Sequence, residues 1–389
     1  MIKVRTYNKI AETGLAVLTG QGCKVGEGEA DAQGIILRSH KLQPEEINQE
    51  VLAIARAGAG YNNVPVDYCT EKGIVVFNTP GANANGVKEL VLAGLLLGSR
   101  KVYPAMEWVQ SVKDQGSEVS KLVEKEKSKY AGPEIQGKTL GVIGLGAIGV
   151  LVANAASALG MNVIGHDPFL SVDAAWGLSN TVKKASNPDQ VYQQSDFLSI
   201  HVPLNDKTRA MINDATLAKI KPGARILNFS RGELVDNTAV LKALDAGRLS
   251  AYITDFPEAE LLGRDDVVAI PHLGASTPES EENCAIMAAH QVYDYLRYGN
   301  IKNSVNFPAC SIPMTSPTRI TITNKNIPAM VGQITTVLAN AGINIEDMIN
   351  RHAGDLAYNI IDVEGAVSED VINKLKAIEG IIDVRVILA

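Results

Sequence analysis

Cysteine is scarce in this chain: Cys23, Cys69, Cys284 and Cys310 are its only four, they stand far apart, and no CxxC pair occurs. That spacing speaks against a disulfide framework and a zinc site, and suits reduced thiols in the cytoplasm. No metal is expected. A basic surplus is missing as well. Lys and Arg number 36 against 43 Asp and Glu, a net charge of −7, and no basic tract offsets it, so nucleic acid is not the expected partner. No apolar run approaches membrane-spanning length, so no membrane partner is expected. The first residues, Met1-Ile2-Lys3-Val4-Arg5, lack the apolar core of a signal peptide. The expectation is a cytoplasmic protein acting on small molecules.

Glycine, by contrast, is plentiful at 34 residues. The apolar run Leu140 to Ile143 reads as a buried parallel strand. It breaks into Gly144-Leu145-Gly146-Ala147-Ile148-Gly149, and Val150 to Ala156 then reads as a helix. In a G-x-G-x-x-G turn the first glycine allows the bend, the second lets backbone approach a pyrophosphate, and the third lets helix lie close to strand. The helix start offers free N–H groups and a positive dipole end to phosphate. A second apolar strand, Asn162 to His166, ends in Asp167. An acid about 20 positions past the glycines suits the ribose hydroxyls of NAD and repels the 2′-phosphate of NADP. NAD is therefore the expected cofactor.

At 389 residues, 46% hydrophobic and 20% charged, the chain has room for two or three globular domains. The glycine turn begins late, so a folded segment precedes it. Gly34-Ile35-Ile36-Leu37-Arg38, Val51 to Arg56 and Gly73 to Phe77 alternate with helical stretches, suggesting a smaller parallel-sheet domain. Val87 to Leu97 reads as a helix leading to the next domain, and Lys113 to Tyr130 as a polar surface segment. Phe197 to Val202, Ala224 to Phe229 and Val267 to Ile270 read as further buried strands. A helix over Glu281 to Tyr298, stopped by Gly299, returns to the first domain. Pro308, Pro313 and Pro317 mark a linker. Beyond it a βαββαβ pattern runs to Leu388: strand Arg319 to Thr323, helix Ala329 to Asn340, strands Ile343 to Asn350 and Tyr358 to Val363, helix about 368 to 377, strand Ile382 to Leu388. That order is ferredoxin-like.

Three candidate functional groups follow apolar strands, where ligands bind in open α/β sheets. Arg231 in Asn228-Phe229-Ser230-Arg231-Gly232 can hold a carboxylate bidentately. Asp255, Glu258 and Glu260 supply acids, and His272 supplies an imidazole. A histidine paired with a carboxylate is a general acid/base. Beside a nicotinamide, Arg, Glu and His suit hydride transfer at a 2-hydroxy acid carbon.

The glycine turn, His201-Val202-Pro203-Leu204, Ser230-Arg231-Gly232-Glu233-Leu234-Val235-Asp236 and Pro271-His272-Leu273-Gly274 resemble the D-isomer-specific 2-hydroxyacid dehydrogenase family over roughly residues 1 to 305. The resemblance implies a Rossmann domain (98–285) inserted in a flavodoxin-like substrate domain (1–97 and 286–305), followed by a linker (306–317) and a module over 318–389. It implies the catalytic set Arg231, Glu260 and His272. The chain departs from the family in having Phe256-Pro257 after Asp255 and Leu261 after Glu260, so Glu258 remains a competitor for the acid. Cofactor contacts are implied for Ala59, Gly144, Gly146, Ala147, Ile148, Gly149, Asp167, Val202, Pro203, Phe229, Ser230, Arg231, Asp255, His272, Gly274 and Ala275.

Leu37-Arg38-Ser39, Ala55-Arg56-Ala57-Gly58-Ala59-Gly60 and Phe77-Asn78-Thr79-Pro80 are similar to segments of those family members that oxidise 3-phospho-D-glycerate. This implies substrate contacts from Arg38, Ser39, Arg56, Gly58 and Asn83, with both arginines chemically fit for a phosphate. The C-terminal pattern resembles an ACT domain, a small amino-acid-binding fold, and implies regulatory roles for Asn324, Asn326 and Asn344. There the chain departs at Asn324, where histidine is usual, and at Ala329, where glycine is usual. Asn326 and Asn344 are expected to approach each other beside a partner module and to bind L-serine, in a homodimer or homotetramer. The alternatives are a hydroxypyruvate or glyoxylate reductase with the same Arg, Glu and His, and an NAD-sensing regulatory protein on the same fold.

Overall fold

A strand that is apolar on both faces needs a helix layer on each side, and the run Gly34-Ile35-Ile36-Leu37 is buried at all four positions. A computed structural model describes residues 1–389. Met1–Asn83 together with Pro278–Ala389 forms one compact unit, and Ala84–Thr277 forms the other. These borders fall a turn or more before the positions expected from sequence. The reason is the helix Ala84–Ser99, whose Val87, Val91 and Leu95 pack with Leu140, Val142, Phe229 and Ile253 of the second unit.

The first unit opens with a parallel sheet of β1 (Lys3–Tyr7), β2 (Lys24–Gly26), β3 (Gly34–Leu37), β4 (Ala53–Arg56) and β5 (Val75–Phe77), in the flavodoxin-like order β2-β1-β3-β4-β5. On one face the 21-residue helix Pro278–Tyr298 sets Ala285, Ala288, Ala289 and Val292 against Val4, Ile36, Ala53 and Ala55. Small residues are needed there: a Cβ on Gly14 would lie 2.6 Å from the backbone of Ala285. On the other face Ile35, Leu37, Ile54 and Val76 form a separate core with Leu42, Val64 and Cys69. Each such buried aliphatic side chain contributes about 1.5–3 kcal/mol.

The second unit holds β6 (Thr139–Ile143), β7 (Asn162–His166), β8 (Lys183–Lys184), β9 (Phe197–Ile200), β10 (Ala224–Asn228), β11 (Leu249–Thr254) and β12 (Val267–Ala269). All pairings are parallel, in the order β12-β11-β10-β9-β6-β7-β8. The order reverses between β6 and β9, the switch point at which such sheets bind dinucleotides. The polar stretch 113–130 consists of short helical turns without a buried residue.

The C-terminal part of the first unit is an antiparallel sheet of β13 (Thr318–Lys325), β14 (Ile345–Ala353), β15 (Leu356–Val363) and β16 (Ile381–Leu388), in the order β14-β15-β13-β16. With the helices Met330–Asn340 and Glu369–Lys376 it makes the ferredoxin-like βαββαβ fold. Ile320, Ile322, Ile334, Leu338 and Leu375 fill the helical side. From the opposite face Tyr358 and Ile360 join Phe77, Tyr295 and Phe307 in the core of the first sheet.

The proline-rich stretch expected as a linker is therefore tied down. Cys310 is buried and bridges Ile301, and the Thr315 amide donates to Asp362 Oδ2 at 2.9 Å. Fully buried Arg319 pairs with Asp362 at 2.6 Å and also donates to the carbonyls of Tyr298 and Pro313. Tyr358 donates to the Gly299 carbonyl at 2.8 Å. Gly299 has φ +71°, and a Cβ there would sit 2.4 Å from Thr321 Cγ2, so glycine is required.

Candidate active site

The glycine turn follows β6 directly. Gly144 has φ +91°, a conformation that only glycine adopts readily, and a Cβ there would meet the His201 carbonyl at 2.5 Å. A Cβ on Gly149 would lie 1.9 Å from the Gly144 carbonyl, which holds the helix Ala147–Ala158 tight to the strand. Gly146 differs: a Cβ there would meet nothing within 4 Å. The turn and Ala147-Ile148 at the helix start thus leave an open cradle of backbone N–H groups.

Asp167, just past β7, closes this cradle. Its Oδ2 accepts from the Leu145 amide at 2.8 Å and its Oδ1 from the Phe169 amide at 2.8 Å. A carboxylate has about four lone-pair sites, so two remain for ribose hydroxyls. His201 follows β9. Its Nε2 bonds Ser199 Oγ at 2.8 Å, while its Nδ1 is shut from solvent without a partner. Burial pushes this imidazole down to about 4, so it is neutral at physiological pH. Val202 is half-buried and Pro203 exposed, and the Val202 carbonyl accepts from Ser230 Oγ at 2.9 Å.

Arg231 sits beyond β10 with its backbone fixed by fully buried Asn228, whose Nδ2 donates to the Arg231 carbonyl at 2.9 Å. The Arg231 guanidinium is exposed and donates to the Ser230 carbonyl at 2.7 Å. Phe229 is buried and lies under Gly94, where a Cβ would be 2.9 Å from its ring. Asp255, at the end of β11, is fully buried and accepts from the Gly274 amide at 3.3 Å through Oδ2, while Oδ1 has no partner. Burial raises its pKa against the pull of His272, the Gly274 amide and Arg231. His272 is exposed, with its ring 4.8 Å from that of Phe256. It makes neither a hydrogen bond nor an ion pair with Glu258 or Glu260, and both glutamates are exposed. Among the nearby carboxyls it is Asp255 that feels the imidazole electrostatically.

The first unit carries its own set at the ends of β3 and β4. Arg38, Ser39, Lys41, Arg56, Gly60, Asn62 and Asn63 line a cavity of about 360 Å³. Arg56 Nε donates to the Arg38 carbonyl at 3.1 Å, and the Arg56 guanidinium lies over Gly58, where a Cβ would clash at 1.5 Å. Gly58, with φ +153°, leaves room for that guanidinium where it lies. The Ala59 carbonyl accepts from Asn78 Nδ2 at 2.6 Å. Asn83 is half-buried at the end of this unit's first stretch.

Residues 92–274 match the sequence model of the D-isomer specific 2-hydroxyacid dehydrogenase NAD binding domain. The D-3-phosphoglycerate dehydrogenase of Methanocaldococcus jannaschii is 31% identical, over 93% of this chain and 70% of its own length. That of Synechocystis is 32% identical over 92% and 64%, and the human one 33% over 74% and 53%. The chain belongs to the D-isomer specific 2-hydroxyacid dehydrogenase family. It spans little more than half to about 70% of these relatives' lengths. Among solved structures, NAD⁺-bound 3-phosphoglycerate dehydrogenase from Entamoeba histolytica has TM-score 0.60 and 27% identity, over 78% of this chain and 98% of that one. A glyoxylate reductase from Paecilomyes thermophila has 0.64 and 25%, over 78% and 98%.

For a 2-hydroxyacid dehydrogenase, the second unit fits NAD on two observations. Of the three turn glycines only Gly146 faces open space, and the buried, unpartnered Asp255 Oδ1 suits a donor such as a carboxamide N–H. Sequence reasoning passed over Lys41, Asn62 and Asn63, which stand just downstream of quoted motifs, and Glu281, which reaches Arg38 from a distant helix at 2.7 Å.

The expected regulatory asparagines do not come together within one copy. Asn324 is buried, and both its polar ends are engaged: Nδ2 donates to the Lys325 carbonyl at 2.7 Å and Oδ1 accepts from Asn359 at 2.7 Å. Asn326 is exposed and bonds the Gly354 carbonyl at the start of β15. Asn344 is exposed at the far end of β15, its carbonyl accepting from the Glu364 amide. The eight residues of β15 lie between them, roughly 27 Å at about 3.4 Å per residue.

Proposed function

We propose that the protein oxidises 3-phospho-D-glycerate to 3-phosphooxypyruvate with NAD, the reaction that opens the route to L-serine. The carrying observation is the cavity at the ends of β3 and β4, where Arg38, Lys41 and Arg56 line one open space with room for a phosphate. An unphosphorylated 2-hydroxy acid has no use for three cations in addition to the arginine that holds its carboxylate. The curated relatives' common name supports the same substrate.

Bound NAD supplies the hydride acceptor. This chain's residues do the rest. Arg231, exposed on a rigid backbone, holds the substrate carboxylate through paired N–H donors. His272 takes the hydroxyl proton, and an acid stabilises the imidazolium. Glu260 is the acid we assign, with Glu258 its competitor; Asp255 adds a buried carboxyl. Arg38 and Arg56 bind the phosphate. Arg56→Ala should raise KM for 3-phosphoglycerate by about 10- to 100-fold, the equivalent of one lost charge-assisted bond, while D-glycerate turnover changes little. Equal loss on both substrates would show that Arg56 serves the fold or the carboxylate. The reductase reading retains one specific support, the likeness to a glyoxylate reductase structure. NADH oxidation with glyoxylate, without turnover of phosphoglycerate, would favour it.

A further inference from the structure

Arg38 has a partner inside its own unit. Its Nη1 lies 2.7 Å from Glu281 Oε1, with the two side chains 36% and 45% exposed. Glu281 stands in the first turn of the helix Pro278–Tyr298, whose inner face is locked into the core of the first sheet. The carboxylate is therefore presented from a rigid element to the same guanidinium that lines the cationic cavity.

We infer that Glu281 is a resident anion of the phosphate pocket, sharing Arg38 with the substrate phosphate and setting how tightly that phosphate is held. The inference rests on the phosphoglycerate reading and deepens it. A guanidinium has five N–H donors, so a phosphate can meet Arg38 beside Glu281 or in its place. In the first case two anions share one cation a few ångströms apart and repel. In the second the Arg38–Glu281 pair has to break first. Both weaken phosphate binding relative to a pocket without the carboxylate. Counting the Glu281 carboxylate on Arg38 against Arg38, Lys41 and Arg56 leaves two net positive charges, which matches a phosphate dianion. Without Glu281 it would hold substrate and phosphorylated product alike more tightly, and product would leave more slowly.

The alternative role, orienting Arg38, predicts the opposite sign, so one comparison decides. Inorganic phosphate is titrated calorimetrically into the full-length protein and its Glu281→Gln variant, and KM for 3-phosphoglycerate is measured on both. Phosphate should bind the variant about two- to fivefold more tightly, the range of a half-exposed ion pair, and KM should fall by a similar factor. Placed on Arg38→Ala, the same substitution should no longer tighten phosphate. Glu281→Ser serves as a second variant, and unchanged melting temperatures verify folding. Unchanged, weaker or unmeasurable phosphate binding in both Glu281 variants overturns the inference. Phosphate binding that tightens as stated, without any turnover of 3-phosphoglycerate, supports the inference and overturns the activity instead.

Discussion

His272 is exposed and hydrogen-bonds no glutamate, whereas Asp255 is fully buried. His272→Ala should lower turnover by about 10²- to 10⁴-fold, the usual effect of losing a positioned general acid/base, with NAD affinity retained in a fluorescence titration. Glu260→Gln should alter the pH profile of kcat/KM and Glu258→Gln should not; the reverse result moves the acid to Glu258. His201 allows a stability test with a definite sign. Its folded value of about 4 lies below the ordinary 6.5, so the unfolded chain takes up its proton first as pH falls. Its contribution is complete above about pH 6.5 and lost towards pH 4, on the order of 1–3 kcal/mol. Urea melts at pH 7.5 and pH 5 should show a smaller acid loss for His201→Gln than for the native protein.

Among the elements, the glycine turn was legible because strand, glycines and helix have to follow in that order for the chemistry to work. It also separates fold from binding. Gly146→Ala should leave stability within about 0.5 kcal/mol yet weaken NAD, because its added methyl points only into the cradle. Gly149→Ala should destabilise by about 1–3 kcal/mol or more, because its methyl meets the Gly144 carbonyl. Thermal melts with and without NAD distinguish the two. That the 306–317 stretch is tied down was illegible, because prolines report local stiffness and carry no information on a buried arginine downstream. Breaking the Arg319–Asp362 pair with Asp362→Asn should cost about 3–5 kcal/mol. Burial alone would raise the Asp362 carboxyl, but Arg319 and the Thr315 donors hold it below its ordinary value. Its stabilisation is therefore present above the unfolded carboxylate range and lost as pH falls through the lower folded value. Glu281 was illegible for a related reason: its partner Arg38 is more than 240 residues away in sequence.

At the scale of the whole molecule, the strand alternation foretold three sheets, and three sheets are present. No helix is long and apolar enough to cross a membrane. Regulation by L-serine is a separate proposal about assembly. Asn326 and Asn344 lie at opposite ends of β15, so a ligand that uses both has to sit between two copies of the module. Serine at millimolar concentration should then inhibit turnover and shift the sedimentation of the full chain, and loss of either effect in Asn344→Ala would locate the site. The claim on which everything else rests is phosphoglycerate oxidation. NADH formation should be followed at saturating NAD with 3-phospho-D-glycerate and with D-glycerate. Turnover is expected, with a kcat/KM for the phosphorylated substrate at least about tenfold higher, since one or more charge-assisted bonds hold its phosphate. Equal efficiency on the two, or no turnover of 3-phosphoglycerate, would contradict it.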